Sequence, residues 1–216
     1  MTRVLRHGRV ELALHRLADG TGRPLLLLHG LGERSVSEPP EWAARWAGPV
    51  LALDFTGHGS STMPRAGGYS CEVLMGDVDT VVASEGPLTI HGRGLGAYVA
   101  LLIAGARPAA VRGAILADGP GLAGGGPGPG SPRLLAVDRA APAPPDPWAL
   151  AELSLDVRPP DYATSFARQA THLSGLDSPI TVAAVVRPPW LEAILDEPGV
   201  AEAPVAAALA SYAAVD

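Results

Sequence analysis

The chain has 216 residues, 47% of them apolar and 18% charged, and carries a net charge of −6 with a pI near 5.5. That length suits one domain with a sizeable core, and the acidic balance argues against a nucleic-acid-binding surface. Cys71 is the only cysteine, which excludes an internal disulfide and a cysteine-built metal site. All 16 basic residues are arginine, and neither lysine nor asparagine occurs. With the Ala, Gly and Pro excess, this reads as a bias toward GC-rich codons, so glycine and proline counts alone carry little structural weight. The opening MTRVLRHGRVELALH is charged throughout, without the apolar core of a leader peptide. The longest helical apolar run, Ala97 to Ala106, is about half of what a bilayer requires. A cytoplasmic protein with no membrane partner, no metal and no cofactor is expected.

Residues 3–17 read as a hairpin turning at His7-Gly8, in which Val10, Leu12 and Leu14 alternate with Glu11, Ala13 and His15. Leu25 to Leu28 is a continuous apolar run, as expected of a strand covered on both faces. It ends in the loop His29-Gly30-Leu31-Gly32. Glu38 to Trp46 is predicted helical, with Trp42 and Trp46 four apart on one face. Pro49 to Leu53 is the next strand, followed by the turn Asp54-Phe55-Thr56-Gly57-His58-Gly59-Ser60. Ser70 to Ser84 reads as an amphipathic helix with Val73, Leu74, Val78, Val81 and Val82 inward.

Pro87 to Arg107 is the unit around which the rest is organised. Leu88 to Ile90 is a short strand, three glycines fall within Gly92-Arg93-Gly94-Leu95-Gly96, and a helix runs from Ala97 until Pro108 stops it. A sharp strand-to-helix turn of this kind aims one side chain and several free N–H groups at one spot. The residue at that spot is Gly94. Val111 to Ala117 is a further strand, ending at Asp118-Gly119-Pro120-Gly121. Residues 124–147 are rich in Gly and Pro and read as a connection or lid base. Helices are predicted over 148–156 and 162–174, a strand over 180–186, a helix over 190–196, a short strand over 200–203 and a closing helix over 205–214. Strands alternating with helices argue for an α/β fold with a mostly parallel, doubly wound sheet.

Three glycine loops, each following a strand and in this order, resemble the α/β-hydrolase family. His29-Gly30 is similar to its oxyanion loop, and Asp54 to Ser60 to its Asp-x-x-Gly-His-Gly-x-Ser turn. Gly92 to Gly96 lies where the family carries its Gly-x-Ser-x-Gly nucleophile elbow. The resemblance covers residues 1–121 well and the remainder loosely. It implies a single domain over 1–216 with a lid region within 122–178, an eight-stranded sheet, and a site at the C-terminal ends of the strands.

Acyl transfer by this route needs a nucleophile, a base, an orienting acid and oxyanion donors. The elbow position is glycine, the strand that carries the family's usual acid runs into Arg187-Pro188-Pro189, and no histidine follows His172. Asp118 stands where some members place a substitute acid. Backbone N–H groups of Leu31 and Leu95 would form the oxyanion hole around Gly94, with the dipole of the elbow helix and Arg93 favouring an anion or polarised carbonyl. His29 and His58 are pocket-facing candidates, against the simpler reading that they bond within their own loops. Ser60 and Ser61 read as structural turn residues. Cys71, at a helix start where a thiol pKa can be lowered, reads first as a structural helix-start residue.

Three readings result. The first is a non-hydrolytic member that binds a small organic molecule bearing a carbonyl or carboxylate, with homo-oligomerisation left open. The second is an enzyme of the same fold using non-covalent acid/base chemistry through Asp118, His29, His58 and Arg93, as a lyase, isomerase or atypical hydrolase. The third is a dinucleotide binder, since Gly92-x-Gly94-x-x-Ala97 with Asp118 beyond the next strand also fits that fingerprint. Two loops, His29-Gly30 and Gly57-His58-Gly59, go unexplained in the third.

Overall fold

Leu25–Leu28 and Val50–Leu53 are apolar at every position and buried at every position. Such runs belong in the middle of a sheet covered on both faces, and the computed structural model, which describes residues 1–65, 67–125 and 143–215, places them there. The strands are β1 (Thr2–His7), β2 (Val10–Ala18), β3 (Leu25–Leu28), β4 (Val50–Leu53), β5 (Leu88–Arg93), β6 (Val111–Ala117), β7 (Ile180–Val182) and β8 (Val200–Glu202). They form one sheet in the order β1-β2-β4-β3-β5-β6-β7-β8. The β1–β2 and β2–β4 pairs are antiparallel, and every pair from β4 to β8 is parallel. The sheet is thus the mostly parallel, doubly wound one that the alternation of elements predicts.

The helices are α1 (Cys71–Glu85), α2 (Leu95–Ala106), α3 (Pro147–Leu155), α4 (Pro160–Leu173), α5 (Pro189–Leu195) and α6 (Val205–Ala213). α1 starts where a hydroxyl can cap it: Ser70 Oγ accepts the Val73 N–H at 3.3 Å. α2 is buried from Leu95 to Gly105, so it is the central helix of the larger core. On that side Leu26, Leu28, Leu51, Leu53 and Ile90 pack with α1, α2, α4 and α5. Alternate residues point the other way, as the pleat demands. Leu25, Leu27, Ala52 and Ile115 form a smaller cluster with Ala208, Leu209 and Tyr212 of α6, flanked by Trp42 and Trp46.

Two predicted elements are shortened. The helix expected over Glu38 to Trp46 is a single 3₁₀ turn, Glu41–Ala43. Pro39 and Pro40 lack N–H groups and disfavour helix before them. The segment from Pro40 to Trp46 is held by short-range bonds, Ala43 N to Pro40 O, Ala44 N to Glu41 O and Trp46 N to Ala43 O. The strand expected over 180–186 ends at Val182, because Ala183 and Ala184 both turn their N–H groups to Leu116 O. Most of the Gly/Pro-rich 124–147 stretch, residues 126–142, lies outside the described residues.

Candidate functional site

The strand-to-helix turn forms as its glycines require. Gly94 has φ +58° and ψ −122°, a conformation that side-chain-bearing residues rarely adopt. It is closed from outside as well. A Cβ built on Gly94 lies 2.1 Å from the carbonyl oxygen of Pro120 and 2.6 Å from the carbonyl carbon of Gly119. The loop after β6 therefore sits directly over the position where a nucleophile would stand.

That loop also takes the oxyanion donors. The N–H groups of Leu31 and Leu95 converge on one acceptor, Pro120 O, each at 2.9 Å. Gly94 N–H bonds Ala117 O at 3.0 Å. Two N–H groups aimed at one carbonyl oxygen is the arrangement that stabilises a developing oxyanion. Here the oxygen belongs to an unreactive peptide of the chain itself. Leu95 N–H, which would meet a dinucleotide pyrophosphate, is engaged in the same bond.

The histidines beside the turn are both committed. His29 Nδ1–H donates to Gly30 O at 2.8 Å, and Nε2 accepts the Phe55 N–H at 3.2 Å. His58 Nδ1–H donates to Thr56 O at 3.2 Å, and Nε2 accepts the Gly32 N–H at 3.3 Å. A carbonyl only accepts and an amide N–H only donates, so each ring is held as the neutral Nδ1–H tautomer. Burial, with the neighbouring His58 ring adding to it, pushes His29 down to about 4. Burial lowers His58 too. Each ring bonds once within its own loop and once to the other's, so the two histidines tie the loops after β3 and β4 together, and His29 also lines a cavity.

Arg93 and Asp118 are equally engaged. Arg93 Nη1 donates to both oxygens of Glu33 at 2.5 and 2.6 Å, and Glu33 Oε2 also accepts the Gly30 N–H at 2.9 Å. Asp118 turns toward the end of β7, where it accepts Val185 N–H at 2.7 Å and Val186 N–H at 3.0 Å. The structure thus brings Leu31, Gly94 and Leu95 to one point beneath Pro120, with Arg93 and Glu33 at its rim and Asp118 directed elsewhere. Ser61 Oγ donates to Asp54 O and accepts the Ala13 N–H, and Ser60 N–H bonds Asp54 Oδ2. The Cys71 thiol is buried and its pKa is raised by that burial, so the helix start does not activate it. His172 is exposed on α4.

Three further titratable groups escape a motif reading. Asp77 of α1 is buried and binds Thr56 through both its N–H and hydroxyl, with His7 Nδ1 at 2.8 Å. His15 Nε2 lies 3.0 Å from Asp54 Oδ2, and its Nδ1 lies 2.9 Å from Thr2 Oγ1. His91, inside β5, lies under Trp42 with ring centroids 4.4 Å apart. His15, Asp54, His91 and Trp42 line a cavity of about 800 Å³ at the C-terminal ends of β3, β4 and β5. No motif falls at His91; a histidine interrupting the apolar run before Gly92 is the one local feature that marks it. Among the described residues no group of three or more His, Cys, Asp or Glu side chains is arranged to hold a metal, and no helix is long and apolar enough to cross a membrane.

Comparison with known proteins agrees with this fold. The family model described as "Alpha/beta hydrolase family" matches residues 25–215. No curated protein matches the chain. Among solved structures, the thioesterase domain from the curacin biosynthetic pathway is 18% identical, with 99% of this chain and 98% of that one covered and a TM-score of 0.66. A membrane phospholipase A, described as a bacterial virulence factor, is 20% identical over 94% of this chain and 78% of that one, with a TM-score of 0.55. Likeness at this identity concerns the fold.

Proposed function

Because the chain belongs to the α/β-hydrolase family, we propose that it keeps the family's scaffold without its covalent chemistry and serves as a binding protein for a small organic molecule. The observation that carries this reading is the Pro120 carbonyl, which receives both Leu31 N–H and Leu95 N–H above a glycine elbow. Hydrolysis needs a nucleophile beside an oxyanion seat open to substrate. Here the nucleophile side chain is absent and the seat holds a carbonyl of the chain. A ligand carbonyl or carboxylate enters it only by displacing Gly119 to Gly121.

The acid/base alternative is less well supported by the same bonds. A general base needs a nitrogen or oxygen free to take a proton, whereas His29 and His58 have both ring nitrogens engaged. Turnover of short-chain p-nitrophenyl esters tests the reading. The purified protein is expected to release nitrophenol no faster than the same concentration of heat-denatured protein. Saturable, enzyme-proportional release would overturn it.

A further inference from the structure

Between β3 and β4 the chain makes only a 3₁₀ turn, and the segment before it leaves a cavity over the sheet. His15, Ala52, Leu27, His91 and Ile115 are register partners in sequence across β2, β4, β3, β5 and β6. Ile115 is covered by α6, but the first four residues floor the cavity of about 800 Å³. Its outer wall is the 33–42 segment, including Glu33, Ser35 and Trp42. Neighbouring strands lie about 4.8 Å apart, so the floor from His15 to His91 runs roughly 14 Å, the length of a two- or three-ring molecule.

Two polar groups of the lining have bonding capacity left. His91 is 7% exposed, and its ring bonds its own backbone but no other described residue. Ser35 Oγ is buried beside the Asp54 carboxylate and makes no well-aligned hydrogen bond. Buried polar groups with unused bonding capacity are uncommon, and both residues belong to the cavity lining. Three of the charged groups, by contrast, are already engaged. Asp54 accepts Ser35 N–H, Ser60 N–H and His15 Nε2, and Arg93 is paired with Glu33. The three lining carboxylates, Glu33, Glu38 and Asp54, outnumber the guanidiniums of Arg34 and Arg93, which disfavours an anion. Arg93 places positive potential at His91, which disfavours a cation there.

We propose that this trough is a binding site for an uncharged, planar ring molecule that lies along Leu27 and Ala52 against Trp42 and hydrogen-bonds through a carbonyl or ring nitrogen to His91. Leu27 and Ala52 give the floor an apolar strip and Trp42 an aromatic wall, while Asp54, Glu33, Arg93 and His29 of the polar lining already bond within the chain, which suits a ring molecule. The site is on the sheet face away from α2. It deepens the binder reading by giving the ligand a place, and rests on that reading only in that the ligand leaves unchanged.

Coumarin, a neutral planar lactone, serves as the probe. Titration by NMR is expected to give saturable binding with shifts at the His91 and Trp42 rings. Coumarin-3-carboxylate and N-methylquinolinium should each bind about tenfold more weakly or worse. His91→Phe, which keeps the ring packing, should weaken coumarin at least about tenfold, while His91→Gln should stay within about threefold. Both variants are checked by thermal melting. Absence of saturable binding, an unchanged Kd in His91→Phe, or tighter binding of either charged probe would overturn the site. Shifts confined to the Leu31 and Leu95 amides would overturn it and leave the binder reading intact. Conversion of coumarin to 2-hydroxycinnamate would sink the non-hydrolytic reading, and its loss in His91→Phe would still support the trough.

Discussion

The carbonyl oxygen of Pro120 accepts the N–H of Leu95 at 2.9 Å, in the first turn of the helix that leaves the elbow. Leu31, from the loop after β3, reaches the same oxygen at the same distance. Three loops from the ends of β3, β5 and β6 are tied by one acceptor. That bond pattern satisfies two N–H groups that would otherwise face an empty seat. It also explains why position 94 is glycine, since any Cβ would strike the oxygen that joins the loops.

Gly94→Ser is accordingly expected to destabilise the fold without restoring chemistry. A φ of +58° and a Cβ contact of 2.1 Å with backbone both oppose it, together costing on the order of 2–4 kcal/mol. The urea midpoint should fall, and no acyl-enzyme should accumulate with an activated ester. A stable variant that acylates would refute this account of the elbow.

Glu33 and Arg93 should differ in what their loss does. The pair is partly exposed, at 30% and 45% of the side chains, so Arg93→Ala should cost well under about 1 kcal/mol. Glu33→Ala also strips the Gly30 N–H of its acceptor and should cost about 1–2 kcal/mol. Equal costs in urea unfolding would show that the Gly30 bond contributes nothing.

Stability should fall between pH 6.5 and 4. His29 and His91 are both lowered to about 4 by burial, with His58 and Arg93 respectively adding to it. In that window the unfolded chain binds protons that the folded chain refuses, so unfolding free energy rises with pH. Each ring contributes on the order of 2 kcal/mol between pH 7.5 and 5. His29→Gln should flatten the profile over that window, and an unchanged slope would contradict the burial of a neutral ring.

Asp118→Ala should loosen the segment after β7 rather than alter any activity. Its carboxylate holds Val185 and Val186, both exposed, by their N–H groups. Hydrogen exchange at those two amides should accelerate while β7 itself stays protected. Unchanged exchange would mean that the backbone turn is held by other contacts.

The sheet was legible because its signals are local and mutually consistent. Four leucines in a row at Leu25–Leu28, glycines at the elbow and the order of three loops each report on the chain near themselves. The helix over 38–46 does not form because Pro39-Pro40 decides sterically, although Trp42 and Trp46 stand at helical spacing. The Pro120 carbonyl could not be foreseen from a motif. A backbone oxygen has no sequence signature, and its position depends on how Asp118 to Gly121 packs against Gly30 and Gly94. His91 was hidden for a related reason, since a strand histidine becomes a cavity wall only when the helix that would cover it does not form.

The central claim is that no nucleophile stands at an open oxyanion seat. Intact-mass spectrometry of the folded protein after exposure to a fluorophosphonate tests it most directly. The account predicts an unchanged mass. A stoichiometric adduct on the native protein, absent after unfolding, would contradict it and place an activated hydroxyl where the structure shows none.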